Sequence, residues 1–107
     1  MHINEFAKMS HERSLKYQPT SKGDWEFHLI GMVGECGELM NLLKKLKRGD
    51  FPMDEERKAN IAEEVADAIT YAFLALSELG VDPEKTILDK YEKVNKRVAK
   101  GGFHVRN

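Results

Sequence analysis

Two apolar stretches of this sequence carry carboxylates and no basic residue. The first, residues 29–43, contains Glu35 and Glu38; the second, residues 61–74, contains Glu63, Glu64 and Asp67. Both have the composition of helices. Residues three apart on a helix share a face, with Cβ atoms about 5–6 Å apart. Glu35 with Glu38 is therefore one acidic pair, and Glu64 with Asp67 a second.

Solvent-facing charge normally recurs along a helix with both signs mixed. The chain is 33% charged, so a solvated face is one account of these acids. The absence of lysine and arginine from both stretches favours another. Acids that face a neighbouring helix without bases repel one another and lose hydration. They escape by taking up a proton or by binding a cation. Oxygen donors of this kind select magnesium or manganese rather than zinc.

The elements that must position these acids are bounded by punctuation in the sequence. The chain has 107 residues, is 41% hydrophobic and has a formal net charge of −1. This composition suits one globular domain spanning 1–107 and argues against a general nucleic-acid binder. The one cysteine, Cys36, allows no intrachain disulfide and is expected to be buried among apolar neighbours. No signal-peptide pattern opens the sequence and no run is long enough to span a membrane, so a cytoplasmic protein is expected.

A weak apolar stripe, Ile3, Phe6, Ala7 and Leu15, predicts a first helix to about Tyr17; His2 and His11 on it read as surface residues. Residues 18–23, with Pro19 and Gly23, read as a loop. Asp24 is a good N-cap for a second helix, which ends in the basic turn 44–48 before Gly49. Gly31, Gly34 and Gly37 cost this helix about 1 kcal/mol each against alanine. Either a second helix approaches closely there or a metal-bound ligand needs the room.

Asp54 caps a third helix running to about Leu79. Its segment from Ala68 to Leu76 is apolar all round, which predicts burial on several sides, part of it in a subunit interface. Asp82-Pro83 opens a fourth helix. Ile87, Tyr91, Val94 and Val98 are expected to form its buried seam, with Lys85, Lys90, Lys93, Lys96, Arg97 and Lys100 on the other faces. Those cations serve a solvated face or a phosphate. Gly101-Gly102 closes the helix, and a short tail, residues 103–107, follows.

The segment Gly34-Glu35-Cys36-Gly37-Glu38-Leu39 resembles the first signature of the all-α, MazG-like nucleoside triphosphate pyrophosphohydrolases. Their pattern is ExxE on one helix and ExxD on the next. Here it is matched by Glu35 and Glu38, then Glu64 and Asp67. The GExGEL form is most similar to the dCTP pyrophosphatase branch, and Lys93-Val94-Asn95-Lys96-Arg97 resembles the phosphate-contacting segment of relatives. The likeness covers about residues 24–103.

The resemblance implies an all-α, four-helix bundle-like domain that assembles as a homodimer or homotetramer. It implies Mg²⁺-dependent cleavage, with Mn²⁺ as the alternative ion, of a (deoxy)nucleoside triphosphate to the monophosphate and pyrophosphate, as in nucleotide-pool house-cleaning. The expected metal ligands are Glu35, Glu38, Glu64 and Asp67, with Glu63 as a further candidate. Glu38 or Glu35 would activate the attacking water. Lys93, Asn95 and Arg97 are expected at the phosphates. Trp25 and His28 are expected at the base, although Trp25 and Phe27 also suit a core.

Two other functions fit the same residues. One is phosphoribosyl-ATP pyrophosphohydrolysis. The other is a non-catalytic helical dimerisation module whose acids face water or a partner's lysines. A carboxylate-bridged di-iron bundle needs ExxH pairs, and none of His2, His11, His28 or His104 stands three residues after a glutamate on either acidic stretch.

Overall fold

The computed structural model describes residues 1–101; Gly102 and the tail expected over 103–107 lie outside the described residues. The described chain is all-helical: α1 (Ile3–Tyr17), a short 3₁₀ turn (Pro19–Ser21), α2 (Trp25–Arg48), α3 (Glu55–Glu78) and α4 (Pro83–Ala99). There is no strand among the described residues.

The helix boundaries follow the expected capping chemistry. Asp24 accepts from the Phe27 N–H at 2.9 Å, Asp54 from the Arg57 N–H at 2.9 Å and Asp82 from the Lys85 N–H at 2.9 Å. Each satisfies an amide that the first helical turn leaves free. Gly49 ends α2 in the left-handed region, φ 85°, where a Cβ would be strained.

α2 and α3 pair along their length as an antiparallel hairpin, and α1 crosses α3 near its C-terminal half. The small core sits at that crossing. Ala7, Leu74 and Ala75 are buried there, and Phe6 meets Phe73 edge-on with ring centroids 5.7 Å apart. This edge-to-face arrangement suits the aromatic quadrupoles. At the other end of the hairpin the Arg57 guanidinium lies over the Phe51 ring, 4.2 Å from its centroid.

α4 is anchored at its start. Asn4 donates to Asp82 at 3.0 Å and accepts from the Glu84 N–H at 3.0 Å, while Pro83 is buried. α4 packs on α1 and α3, with no comparable contact to α2. The four helices therefore do not close into a bundle within one chain. The expected buried seam is formed only in part: Val94 is half-buried, whereas Ile87, Tyr91 and Val98 are exposed, because α4 packs only sparsely on the other described helices. Cys36, expected inside, is exposed for the related reason that α3 alone covers this part of α2. The radius of gyration is 17.0 Å, against about 13 Å for a compact chain of this length.

Of the three spaced glycines, Gly31 is explained by close approach. A Cβ there would stand 2.7 Å from Cδ1 of Tyr71, inside van der Waals contact. Among the described residues, nothing lies within 4 Å of a Cβ at Gly34 or Gly37. Gly31→Ala is expected to lower stability by about 1–2 kcal/mol, because overpacking against the Tyr71 ring exceeds the gain in helix propensity. Urea unfolding checks this.

Candidate metal and ligand site

The antiparallel register of α2 and α3 turns two local acidic pairs into one group. Carboxylate oxygens of Glu35, Glu64 and Asp67 all lie within 4.8 Å of one another. Glu35 and Glu64 are half-buried and Asp67 is exposed. One oxygen of Glu35 and one of Glu64 are shut off from solvent with no hydrogen-bond partner among the described residues. Glu38 is exposed beside this group, close enough to influence Glu64. Glu63, the further candidate, is also exposed.

No lysine or arginine makes an ion pair with these acids among the described residues. The facing Glu35 carboxyl pushes the Glu64 carboxyl above its ordinary pKa, as a proton-sharing neighbour and as a like charge. Burial and the Asp67 charge act the same way, and Glu38 opposes them. Proton uptake, the first of the two escapes expected for crowded acids, is thus available to the chain by itself. A divalent cation is the second: three converging carboxylates, two of which carry an orphaned oxygen among the described residues, offer the donors a hard cation takes.

Beside the acids, α1, α2 and α3 enclose a cleft of about 230 Å³ whose wall includes Asp67. His28 also lines it. The His28 side chain is fully buried, 1% exposed, and neither ring nitrogen has a hydrogen-bond partner among the described residues. Burial lowers its pKa; the charges of Glu78 and Asp24 oppose that shift without cancelling it. Arg13, Ser10 and Ser14 of α1 and Thr70 and Tyr71 of α3 complete much of the wall.

The substrate-contact residues expected from sequence are distributed differently. His28 reaches the cleft, whereas Trp25 is 39% exposed and joins neither the core nor the cleft. Lys93, Asn95 and Arg97 are exposed on α4, and no α4 side chain lines the cleft or joins the acidic group. Arg13 and Tyr71 escaped the sequence reading. Tyr71 stands one helical turn after Asp67, which is the signal that could have found it. Arg13 has no comparable local signal, since its place depends on how α1 crosses α3.

A second polar cluster secures the α1–α2 connection. His11 pairs with Glu78 at 2.6 Å, so it is tied down rather than a free surface residue. Glu78 also accepts from the Gly23 N–H, and its side chain is only 5% exposed. Burial alone would raise the Glu78 pKa; the hydrogen bonds from His11 and Gly23 outweigh it and hold the carboxyl below its ordinary value of 4.5. A carboxylate with a depressed folded pKa stabilises above its unfolded pKa, and that contribution disappears as pH falls through the folded value. Glu78→Gln is therefore expected to cost about 1–3 kcal/mol at pH 7 and progressively less below pH 4.5, measured by urea unfolding across pH.

No helix of the described residues is long and apolar enough to cross a membrane. Compared with known protein families, with curated proteins and with solved structures, the chain matches none.

Proposed function

We propose that this chain is a metal-dependent nucleoside triphosphate pyrophosphohydrolase that works as a homodimer. One observation carries the proposal: carboxylates from two helices converge, with two orphaned buried oxygens and no base among them. Glu35, Glu64 and Asp67, with Glu38 at the edge, would hold Mg²⁺, or Mn²⁺ in its place. A bound divalent ion supplies charge neutralisation for phosphate oxygens. The resemblance of the two acidic motifs to the MazG-like pattern supports this choice of substrate.

Within this reading each side chain has a task. Exposed Glu38 orients the attacking water and takes its proton. The water oxygen bonds to a phosphorus of the α–β bridge, the bridging P–O bond breaks, and nucleoside monophosphate and pyrophosphate leave. Lys93, Asn95 and Arg97 are not at the carboxylates of their own chain. They contribute at phosphate only if a second copy brings α4 to the site.

The uncovered surface supports assembly. Ile30, Val33 and Met40 are exposed on α2, and helical spacing places Gly34 and Gly37 on the same face. Val65 and Ile69 are exposed on α3. Apolar residues around small ones let a second helix approach closely. The wide radius of gyration fits a half-assembly better than a finished monomer.

The competing reading is a non-catalytic helical interaction module. Proton sharing between Glu35 and Glu64 favours it, since repulsion is then relieved without a cation. The two are separated by measuring pyrophosphate release from NTPs, dNTPs and phosphoribosyl-ATP, with Mg²⁺ and with excess EDTA. Metal-dependent release from one member of the panel is expected. No release from any, with no Mg²⁺-dependent rise in melting temperature, overturns the enzyme.

A further inference from the structure

We propose that His28 is an acid-sensitive latch: a proton taken up by its ring lifts residues 10–21, the end of α1 and the 3₁₀ turn, off the α2–α3 hairpin, which itself stays paired. The latch is independent of what the carboxylates of α2 and α3 bind.

The surroundings of His28 have no place for a second ring proton. Its side chain is 1% exposed, and both ring nitrogens are shut off from solvent with no hydrogen-bond partner among the described residues. The neutral ring buries one donor and one acceptor there; the imidazolium buries two donors and a charge. A buried charge without a hydrogen-bonded partner costs far more than a neutral polar group.

Charged and titratable groups stand near the ring on every neighbouring element, and none bonds to it. α1 brings His11 and the Arg13 cation, α3 brings Asp67, Tyr71 and Glu78, and the connection brings Asp24. Glu78 is already engaged by His11 and by the Gly23 N–H, and Asp24 by the Phe27 N–H that it caps. An imidazolium at residue 28 therefore finds its acceptors only in water.

Water reaches the ring most cheaply from the α1 side. α2 and α3 pair along their length, with Tyr71 close over Gly31, so parting them gives up a whole helix interface. Ser10 and Ser14 of α1 and Gln18 after it line the cleft beside His28. The His11–Glu78 pair and the Gly23–Glu78 hydrogen bond fasten this end. The start of α1 has its own anchors, Asn4 at Asp82 and Phe6 against Phe73, so it remains as a pivot. Once undocked, a segment this short holds little helix by itself.

The direction with pH follows. Burial holds the docked ring below its ordinary pKa of 6.5, and the nearby carboxylates of Glu78 and Asp24 do not cancel that shift. In water the ring returns to its ordinary value, so the open form binds more proton. The docked form therefore loses ground as pH falls through 6.5, by up to about tenfold in the open-to-docked ratio per pH unit. Glu78, held below its ordinary 4.5, stays ionised meanwhile.

Hydrogen exchange, corrected for the intrinsic effect of pH, is followed between about pH 8 and pH 5 in excess EDTA on wild type, His28→Leu and His11→Gln. In wild type the amides of residues 10–17 are expected to lose protection below pH 6.5 by up to about tenfold per unit, while those in the middle of α2 and α3 keep theirs. His28→Leu is expected to abolish the dependence. His11→Gln, without the Glu78 contact, is expected to lower protection at every pH and to retain the dependence. If His28→Leu does not fold, the ring resonances of wild-type His28 decide: proton uptake should coincide with the loss of protection. The latch is overturned by protection that ignores pH, by a dependence that survives His28→Leu or vanishes in His11→Gln, by a charged His28 with residues 10–17 still protected, or by simultaneous loss of protection across α2 and α3.

Discussion

Glu35→Gln is expected to abolish metal-dependent pyrophosphate release while making the metal-free protein no less stable. The substitution keeps the shape of the side chain and removes one negative charge from a group whose oxygens lie within 4.8 Å of one another. With EDTA present, that charge repels Glu64 and Asp67, and a glutamine amide can still hydrogen-bond Glu64 as the carboxyl does, so loss of the charge should leave the melting temperature unchanged or higher. With Mg²⁺ present, the wild type should gain stability by mass action, and Glu35→Gln should gain little. The rate should fall by about 10²–10³-fold or more, the scale seen when one preorganised charge-stabilising group is lost. Thermal melts with and without Mg²⁺, alongside a pyrophosphate assay, read both halves. A mutant that keeps both its Mg²⁺-dependent melting shift and its activity would sink the assignment of these carboxylates.

Val33→Asp is expected to convert the proposed homodimer to a monomer. Val33 is 65% exposed and shares its helix face with Ile30, Met40 and two glycines, Gly34 and Gly37, where a Cβ would meet none of the described residues. A charge buried unpaired at such an interface costs about 3 kcal/mol or more, a rise of roughly 100-fold in dissociation constant. Sedimentation should show the wild type as a dimer and the mutant as a monomer at the same concentration. Wild-type melting should also rise with concentration, as mass action requires. A wild type that sediments as a monomer would remove the homodimer from the proposal, and with it any contribution of a second copy's α4 to the site.

The helices were legible in the sequence because their ends are local events. Asp24, Asp54 and Asp82 cap the next few amides, and the left-handed bend at Gly49 needs only the absence of a Cβ. The two acidic pairs were legible for the same reason: helical spacing puts residues three apart on one face whatever the rest of the chain does. The burial of α4 was not legible. Its apolar spacing states that something should cover Ile87, Tyr91 and Val98, and not that the cover is missing from the same chain. His11 looked like a surface residue until α1 crossed the end of α3 and set it against Glu78.

By itself, then, the sequence determined four helices, their limits and two acidic pairs, since each depends on contacts within a few residues. Only the tertiary structure decided that the pairs converge, that Tyr71 fills the space over Gly31, and that His28 and Arg13 face one cleft. Those placements depend on the register of α2 against α3 and the crossing of α1. Both are set by the packing of whole helix faces, to which no short stretch of sequence is sensitive.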